Sequence, residues 1–286
     1  MGTEKSVRHH FVPKSILKRF CFSGETTFYA TKRSKVIAVE RRNIGTIFTR
    51  RHFNSFVKPD GSKDDTIEKF FAHELDNYIP EWISVFDNAI KTGEIVFGRA
   101  APRWRFVQFF FNHMKRSPDF IEPIVDEVGK KTFHPNLLEE AERDLGPLSE
   151  SDREKLMDPK FRETVITNSR VQNIGQQSSN ILDTLYSLQI LVSTPSRPNK
   201  KFICGSNPVA RFEDYPNQPL GEKGVELWTT LTPRIAVGFA KARAQENVIP
   251  LEDNLVRQIN LTLAKQSSAM CSSSHKLIAS LSKAAW

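Results

Sequence analysis

Two adjacent histidines, His9 and His10, head the stretch Val7-Arg8-His9-His10-Phe11-Val12-Pro13 in a chain that holds only seven histidines. Imidazole titrates near neutrality, so either ring could act as a general base or bind a metal. Each could equally brace the segment by bonding a buried carbonyl. In an extended segment the two side chains point to opposite faces, so at most one of them enters a given pocket.

Further groups able to do chemistry recur along the chain. Glu68, His73 and Glu74 fall on a predicted helix, but six residues separate the two glutamates and no His-Glu-x-x-His zinc spacing is present. His113 and Arg116, three apart near the end of an apolar helix, can face one pocket. Arg116 there either reads a phosphate or carboxylate by paired hydrogen bonds or caps the helix C-terminus. In Gly205-Ser206-Asn207-Pro208, a strand runs into a corner that presents Asn207 to a cleft. Ser206 lacks the Gly-x-Ser-x-Gly frame of a nucleophile elbow. No phosphate-binding glycine loop, dinucleotide fingerprint or paired-cysteine zinc site occurs, which excludes ATP-driven, nicotinamide-dependent and zinc-finger functions and leaves no cofactor or metal to expect.

Charge is concentrated at one end. Residues 1–60 carry 13 Lys and Arg against 4 Asp and Glu, whereas residues 61–286 carry 28 against 29. Such a local excess is the footprint of a phosphate-rich partner. Lys14, Lys18, Arg41, Arg42, Arg50 and Arg51, with Phe48, Phe53 and Phe56 interleaved, are the candidate contacts to nucleic acid. An acidic protein partner is the alternative. No apolar run approaches the ~20 residues of a membrane span, and nothing resembles a secretory leader. Three dispersed cysteines suggest a reducing, cytoplasmic setting.

The elements that would position these residues read as α+β in one domain over 1–286: a basic subregion 1–60, a helical middle over about 65–195 and a strand-rich end over 200–286. Residues 14–20 form a short helix opened by Pro13. Residues 26–30 and 35–39 form a hairpin through Thr31-Lys32-Arg33-Ser34. Asp65-Thr66 caps a helix carrying Ile67, Phe70, Phe71, Leu75 and Tyr78. Helices follow after Pro80 and Pro102, over 119–130, 136–145 and 150–157, then one long helix over about 160–190. Short strands lie at 201–204, 225–231 and 235–239, a helix spans 251–266, and a last strand covers 276–280.

The opening motif, His9-His10-Phe11-Val12-Pro13 with Leu17 and Phe20 behind it, resembles the start of the bacterial DUF4238 family, whose function is unknown. Further pieces follow in the family's order: Ile67-Glu68 with Glu74, His113-Met114-Lys115-Arg116-Ser117-Pro118, Cys204-Gly205-Ser206-Asn207-Pro208-Val209, Leu231-Thr232-Pro233, and Asn260 in the last helix. The family's glutamine is His113 here and its aspartate before Asn-Pro is Ser206. The resemblance implies one site built from His10, Glu68 or Glu74, Arg116 and Asn207; if the family's aspartate is a metal ligand or catalytic acid, this chain has either lost that task or shifted it to His113. We therefore expect an enzyme acting on nucleic acid, a metal-independent ribonuclease or nuclease of toxin or phage-defence type. In it His9 or His10 would serve as base, His113 as the second acid–base group and Arg116 as stabiliser of the phosphorane charge. The alternatives are a non-catalytic adaptor for nucleic acid or protein, and a hydrolase of a small phosphorylated molecule.

Overall fold

A computed structural model describes residues 8–32, 37–241 and 248–286. The chain opens with β1 (Arg8–His10), a helical turn α1 (Lys14–Leu17) that tightens into a 3₁₀ turn at Lys18–Phe20, and β2 (Thr26–Thr31). Then come β3 (Glu40–Asn43), β4 (Thr49–Arg51), β5 (Phe56–Val57) and β6 (Lys63–Asp64). β1 pairs antiparallel with β4, placing Arg8 opposite Arg51 and His9 opposite Arg50. The helical middle begins with α2 (Thr66–Phe70), which runs through a π-helical turn at Phe71–Leu75 and a 3₁₀ turn at Asp76–Tyr78 into α3 (Ile79–Thr92). α4 (Arg103–Lys115), α5 (Pro118–Thr132), α6 (Leu137–Leu145), α7 (Glu150–Met157), α8 (Pro159–Gly175) and α9 (Ser179–Ser187) complete it.

Beyond the helices lie β7 (Gln189–Pro195), β8 (Cys204–Gly205), β9 (Val209–Phe212), β10 (Glu226–Thr232), β11 (Ile235–Ala240) and β12 (Val248–Leu251). The chain ends with α10 (Asp253–Gln266), β13 (Ala269–Ser272) and α11 (His275–Ala285). One sheet has the order β12-β7-β11-β10-β9, with β12 parallel to β7 and the other neighbours antiparallel. A second, antiparallel sheet runs β3-β2-β13-β8. The α+β class is thus as expected.

The five-stranded sheet is covered on both faces. Ile190, Val192, Val237 and Phe239 join the core built by Phe86, Phe106 and Phe110 of α3 and α4. Phe239 meets Phe110 edge-on at 4.6 Å. Leu191, Ala236 and Trp228 point the other way, onto Val256, Ile259 and Leu263 of α10. Strands buried on both faces lose their alternation and read as continuous apolar runs.

That loss explains the first correction. The helix expected over 160–190 is two helices, broken at residues 176–178, and its apolar end runs into β7, an interior strand of the five-stranded sheet. The helical middle stops at Ser187 rather than 195. Four further expectations change. The partner of β2 is Glu40–Asn43, so residues 37–39 lie outside any strand, and Arg33–Val36 fall outside the described residues. Residues 201–204 contribute only Cys204-Gly205. The strand expected at 276–280 is part of α11, whose N-cap Ser274 accepts from the Leu277 N–H. Asp64, not Asp65, closes the start of α2, accepting from Thr66 N (2.9 Å) and Oγ1 (2.6 Å).

β13, a short segment between two helices, seats Cys271 opposite Cys204 in the sheet interior. Burial pushes the Cys271 thiol well up from its ordinary value, with Cys204 beside it adding to the shift. Thiol labelling of the native chain at pH 8 should therefore modify Cys21 alone, and Cys204 and Cys271 only after unfolding. Modification of all three at one rate would contradict the placement of β13.

Candidate functional site

β1 sends its two imidazoles in opposite directions. His9 is 1% exposed, and its Nδ1 accepts the backbone N–H of Asn54 at 3.0 Å. Glu68 Oε2 lies 3.8 Å from the same Nδ1, and Asp65 Oδ1 lies 3.7 Å from Nε2. The edge of His52 meets the His9 ring at a centroid distance of 6.2 Å. Asn54 Nδ2 donates to Glu68 Oε2 at 2.7 Å, and the Ser55 hydroxyl donates to Asp65 Oδ1. Asp65 and Glu68 are 26% and 28% exposed, so solvent reaches the cluster from their side. Burial lowers the His9 pKa, while the Glu68 and Asp65 carboxylates push it back up.

His52 carries a backbone φ of +51°. A non-glycine residue in that region costs of the order of 1 kcal/mol or more and persists only where its surroundings dictate it. Here it turns the chain after β4 so that His52, Asn54 and Ser55 all reach the His9 side of the ribbon.

Arg116 is 1% exposed and is bound through both terminal nitrogens, while its buried Nε has no hydrogen-bond partner. Its Nη1 and Nη2 donate to the two oxygens of Asp76 at 2.8 and 3.1 Å, and Nη2 also donates to the His10 carbonyl at 3.2 Å. The guanidinium lies 4.8 Å from the centroid of Phe71. Its neighbours in the motif tie other elements together. Lys115 Nζ donates to the carbonyls of Asn173 and Gln176, ending α8 with a cation, and burial lowers its pKa to about 8. Ser117 Oγ donates to the Ser206 carbonyl at 2.8 Å.

The composite site expected from the sequence is thus only partly assembled. His9 and Glu68 meet, and Arg116 is joined to them through β1. The His10 ring is not a site group: its Nε2 donates to the Ile44 carbonyl at 3.1 Å, and burial lowers its pKa. Glu74 points away to Arg105, 3.8 Å distant. His113 is fully buried, stacked on Phe109 with a centroid distance of 5.1 Å, and neither nitrogen has a hydrogen-bond partner. Desolvation, with the Arg116 charge nearby, lowers its pKa to about 3. It cannot be the second acid–base group. Asn207 sits at the β8–β9 corner, its N–H on Ser267 Oγ at 3.0 Å. Its hydrogen bonds run to Ser267 and Gln266 rather than to His9, Glu68 or Arg116. Beside Ser206 stands the carboxylate of Asp119, which accepts from Ser206 Oγ and from Ser268 N at 2.9 Å. Gly205 is required there, since any Cβ would collide with Ser267 Oγ.

The basic candidates divide likewise. Arg50 forms a two-pronged pair with Glu122, Arg42 pairs with Glu40 at 2.6 Å, and Lys18 stands 4.0 Å from Glu25. Arg41 covers the Phe22 ring at 5.8 Å. Lys14 and Arg51 are exposed without an ion pair among the described residues, as is Arg8. His52, Asn54 and Asp76 were not singled out in the sequence, and Asp65 only as a helix cap. The run His52–Ser55 between two short strands was the one signal for His52 and Asn54.

The ordered set of motifs from His9 to Asn260 now has a structural counterpart, and a family profile described as "Protein of unknown function (DUF4238)" matches residues 8–279. The chain belongs to the DUF4238 family. No curated protein and no solved structure matches it. Its DUF4238 motifs therefore carry positions but no assigned chemistry. No described helix is long and apolar enough to cross a membrane.

Because His113 is held neutral at a pKa near 3 and an unfolded histidine titrates near 6.5, the folded chain binds fewer protons between those values. The stability this confers is complete above pH 6.5 and is lost as the pH falls; His9 and His10 act in the same direction. By pH 5 the His113 contribution alone reaches about 2 kcal/mol. Melting temperatures between pH 7.5 and 5 should fall less steeply for His113→Gln than for the parent. Parallel profiles would mean that His113 is not buried neutral.

Proposed function

We propose that this DUF4238 protein hydrolyses phosphodiester bonds in nucleic acid, with the His9 cluster as its reaction centre. The observation that carries this is the convergence of two imidazoles, His9 and His52, with the carboxylates of Asp65 and Glu68 on one solvent-accessible spot. Groups of those two kinds orient and activate water for attack on phosphorus. His52 thus takes the part that His113 was expected to play.

Phosphate contacts are supplied one step away. Arg8 and Arg51 are register partners across β1 and β4, both exposed and neither ion-paired among the described residues. Like charges directly opposite repel, and a bridging phosphate would relieve that repulsion. Both side chains lie on the face of the ribbon away from His9, so they suit phosphates flanking the scissile one. Lys14 extends the same basic region. A toxin or phage-defence role would be one use of such activity, read out as growth arrest on expression that depends on Asp65.

The test uses the full chain with labelled single-stranded RNA, single-stranded DNA and duplex DNA. We expect cleavage of at least one of these, lost at least about 100-fold in Asp65→Asn and His52→Ala with binding unchanged. The Arg8→Ala/Arg51→Ala pair should weaken binding and reduce the slope of log affinity against log salt by about 1.4–1.8, for two phosphates. Salt-dependent binding without cleavage would replace this proposal with a non-catalytic adaptor. Turnover of small phosphate esters without nucleic-acid binding would replace it with a small-molecule hydrolase.

A further inference from the structure

We propose that the His9 cluster is a divalent transition-metal site, with His9 Nε2, an imidazole nitrogen of His52 and a carboxylate oxygen of Asp65 as its protein ligands. The hydrolytic role proposed above gives such an ion its use, but the site stands on its own geometry.

One donor atom from each of the three residues lies within 4.8 Å of the others. A tetrahedral ion bound at about 2.1 Å needs its ligands about 3.4 Å apart. His9 Nε2 and Asp65 Oδ1 are already at 3.7 Å. The remaining closure is about an ångström, within reach of side-chain rotation at Asp65 and His52, both of which are partly exposed.

His9 Nε2 is buried, faces Asp65 and has no hydrogen-bond partner. A buried polar atom left unsatisfied costs about 1–3 kcal/mol, so its position asks for a ligand. Charge points the same way: Asp76 is neutralised by Arg116, whereas no Lys or Arg among the described residues pairs with Asp65 or Glu68. Two free carboxylates beside two imidazoles attract a cation.

The residues behind the ligands form a supporting shell. Ser55 Oγ holds Asp65 Oδ1 and stands 3.5 Å from His52 Nδ1. Glu68, fixed by Asn54 Nδ2, lies 3.8 Å from His9 Nδ1. Ligating histidines commonly donate their second N–H to such a carboxylate. The proton must be accounted for. With Asn54 N–H donating to Nδ1, the neutral His9 ring keeps its single proton on Nε2. Ligation moves that proton, through water, to Nδ1, and the ring turns from the Asn54 N–H to Glu68. No net proton is gained or lost by the ring.

Two imidazoles and one carboxylate suit Zn²⁺, Co²⁺ or Fe²⁺ and leave positions open for water and a phosphate oxygen. Mg²⁺ and Ca²⁺ prefer all-oxygen shells.

The experiment is a titration of the chelator-treated full chain with Zn²⁺ by calorimetry and with Co²⁺ by visible absorption. One ion per chain is expected, with no saturation by Mg²⁺ at the same concentrations. Asp65→Asn and His52→Ala should weaken binding at least about 100-fold, and Glu68→Gln about 10–100-fold. These variants carry the test because replacing the buried His9 endangers the fold. Absence of stoichiometric binding, or equal binding by the Asp65 and His52 variants, overturns the site. Metal binding without cleavage of nucleic acid would sink the hydrolytic role and leave the site standing. Cleavage that persists in chelator, with no metal bound, would do the reverse.

Discussion

A guanidinium buried to 1% exposure is the constraint on which this architecture turns. Arg116 cannot lose its charge, and leaving such a group unpaired in the interior costs about 3–5 kcal/mol. Its charge and its two terminal nitrogens are met by Asp76 beyond the π-helical turn, the His10 carbonyl on β1 and the Phe71 ring, with Nε alone left without a hydrogen-bond partner. The helical middle and the N-terminal ribbon are therefore fixed to one another at the strand that carries His9. The π-helical turn belongs to the same arrangement, since it begins at Phe71 and ends just before Asp76, the two side chains that face Arg116.

From that point the neighbouring side chains distribute the connection. Lys115 closes the end of α8, and Ser117 reaches the Ser206 carbonyl at the β8–β9 corner. Asp119 then gathers Ser206 and Ser268, joining α5 to the segment between α10 and β13. The short motifs spread along the chain meet as a series of polar ties between layers rather than as one pocket. Cavities lie elsewhere, among them one of 580 Å³ bordered by Lys201, Arg257 and Asn260 and one of 590 Å³ beside Asp214 and Glu226. The chemistry-bearing side chains collect at the His9 end, where Asp65 and Glu68 open to solvent.

Helices with one polar face were legible in the sequence. The spans after Pro102 and over 137–145 and 150–157 fall where apolar spacing and caps put them. β7 was not, because a strand buried on both faces has no alternation to separate it from a helix. Of the candidate cluster, strand geometry gave opposite faces for His9 and His10 without saying which ring enters it, and Glu68 stood as an alternative to Glu74. Asp65 and His52 were hidden because their roles come from a left-handed turn and from ribbon pairing, neither of which leaves a spacing in the sequence. Arg116 was read either as an anion reader or as a helix cap, and it does read an anion, Asp76 within the chain. His113 misled for a similar reason: burial removes the acid–base chemistry that its residue type suggests.

The central claim is that His9 is held as a neutral donor by the Asn54 N–H and can be turned into a metal ligand backed by Glu68. Imidazole ¹⁵N NMR of the chelator-treated chain, with the His9 ring assigned by through-bond correlation to its backbone, tests this most directly. The account predicts an unprotonated Nδ1 and a protonated Nε2, with the proton appearing on Nδ1 when one equivalent of Zn²⁺ is added. A His9 ring that carries its proton on Nδ1 from the start, or whose nitrogen signals do not respond to Zn²⁺, would contradict it.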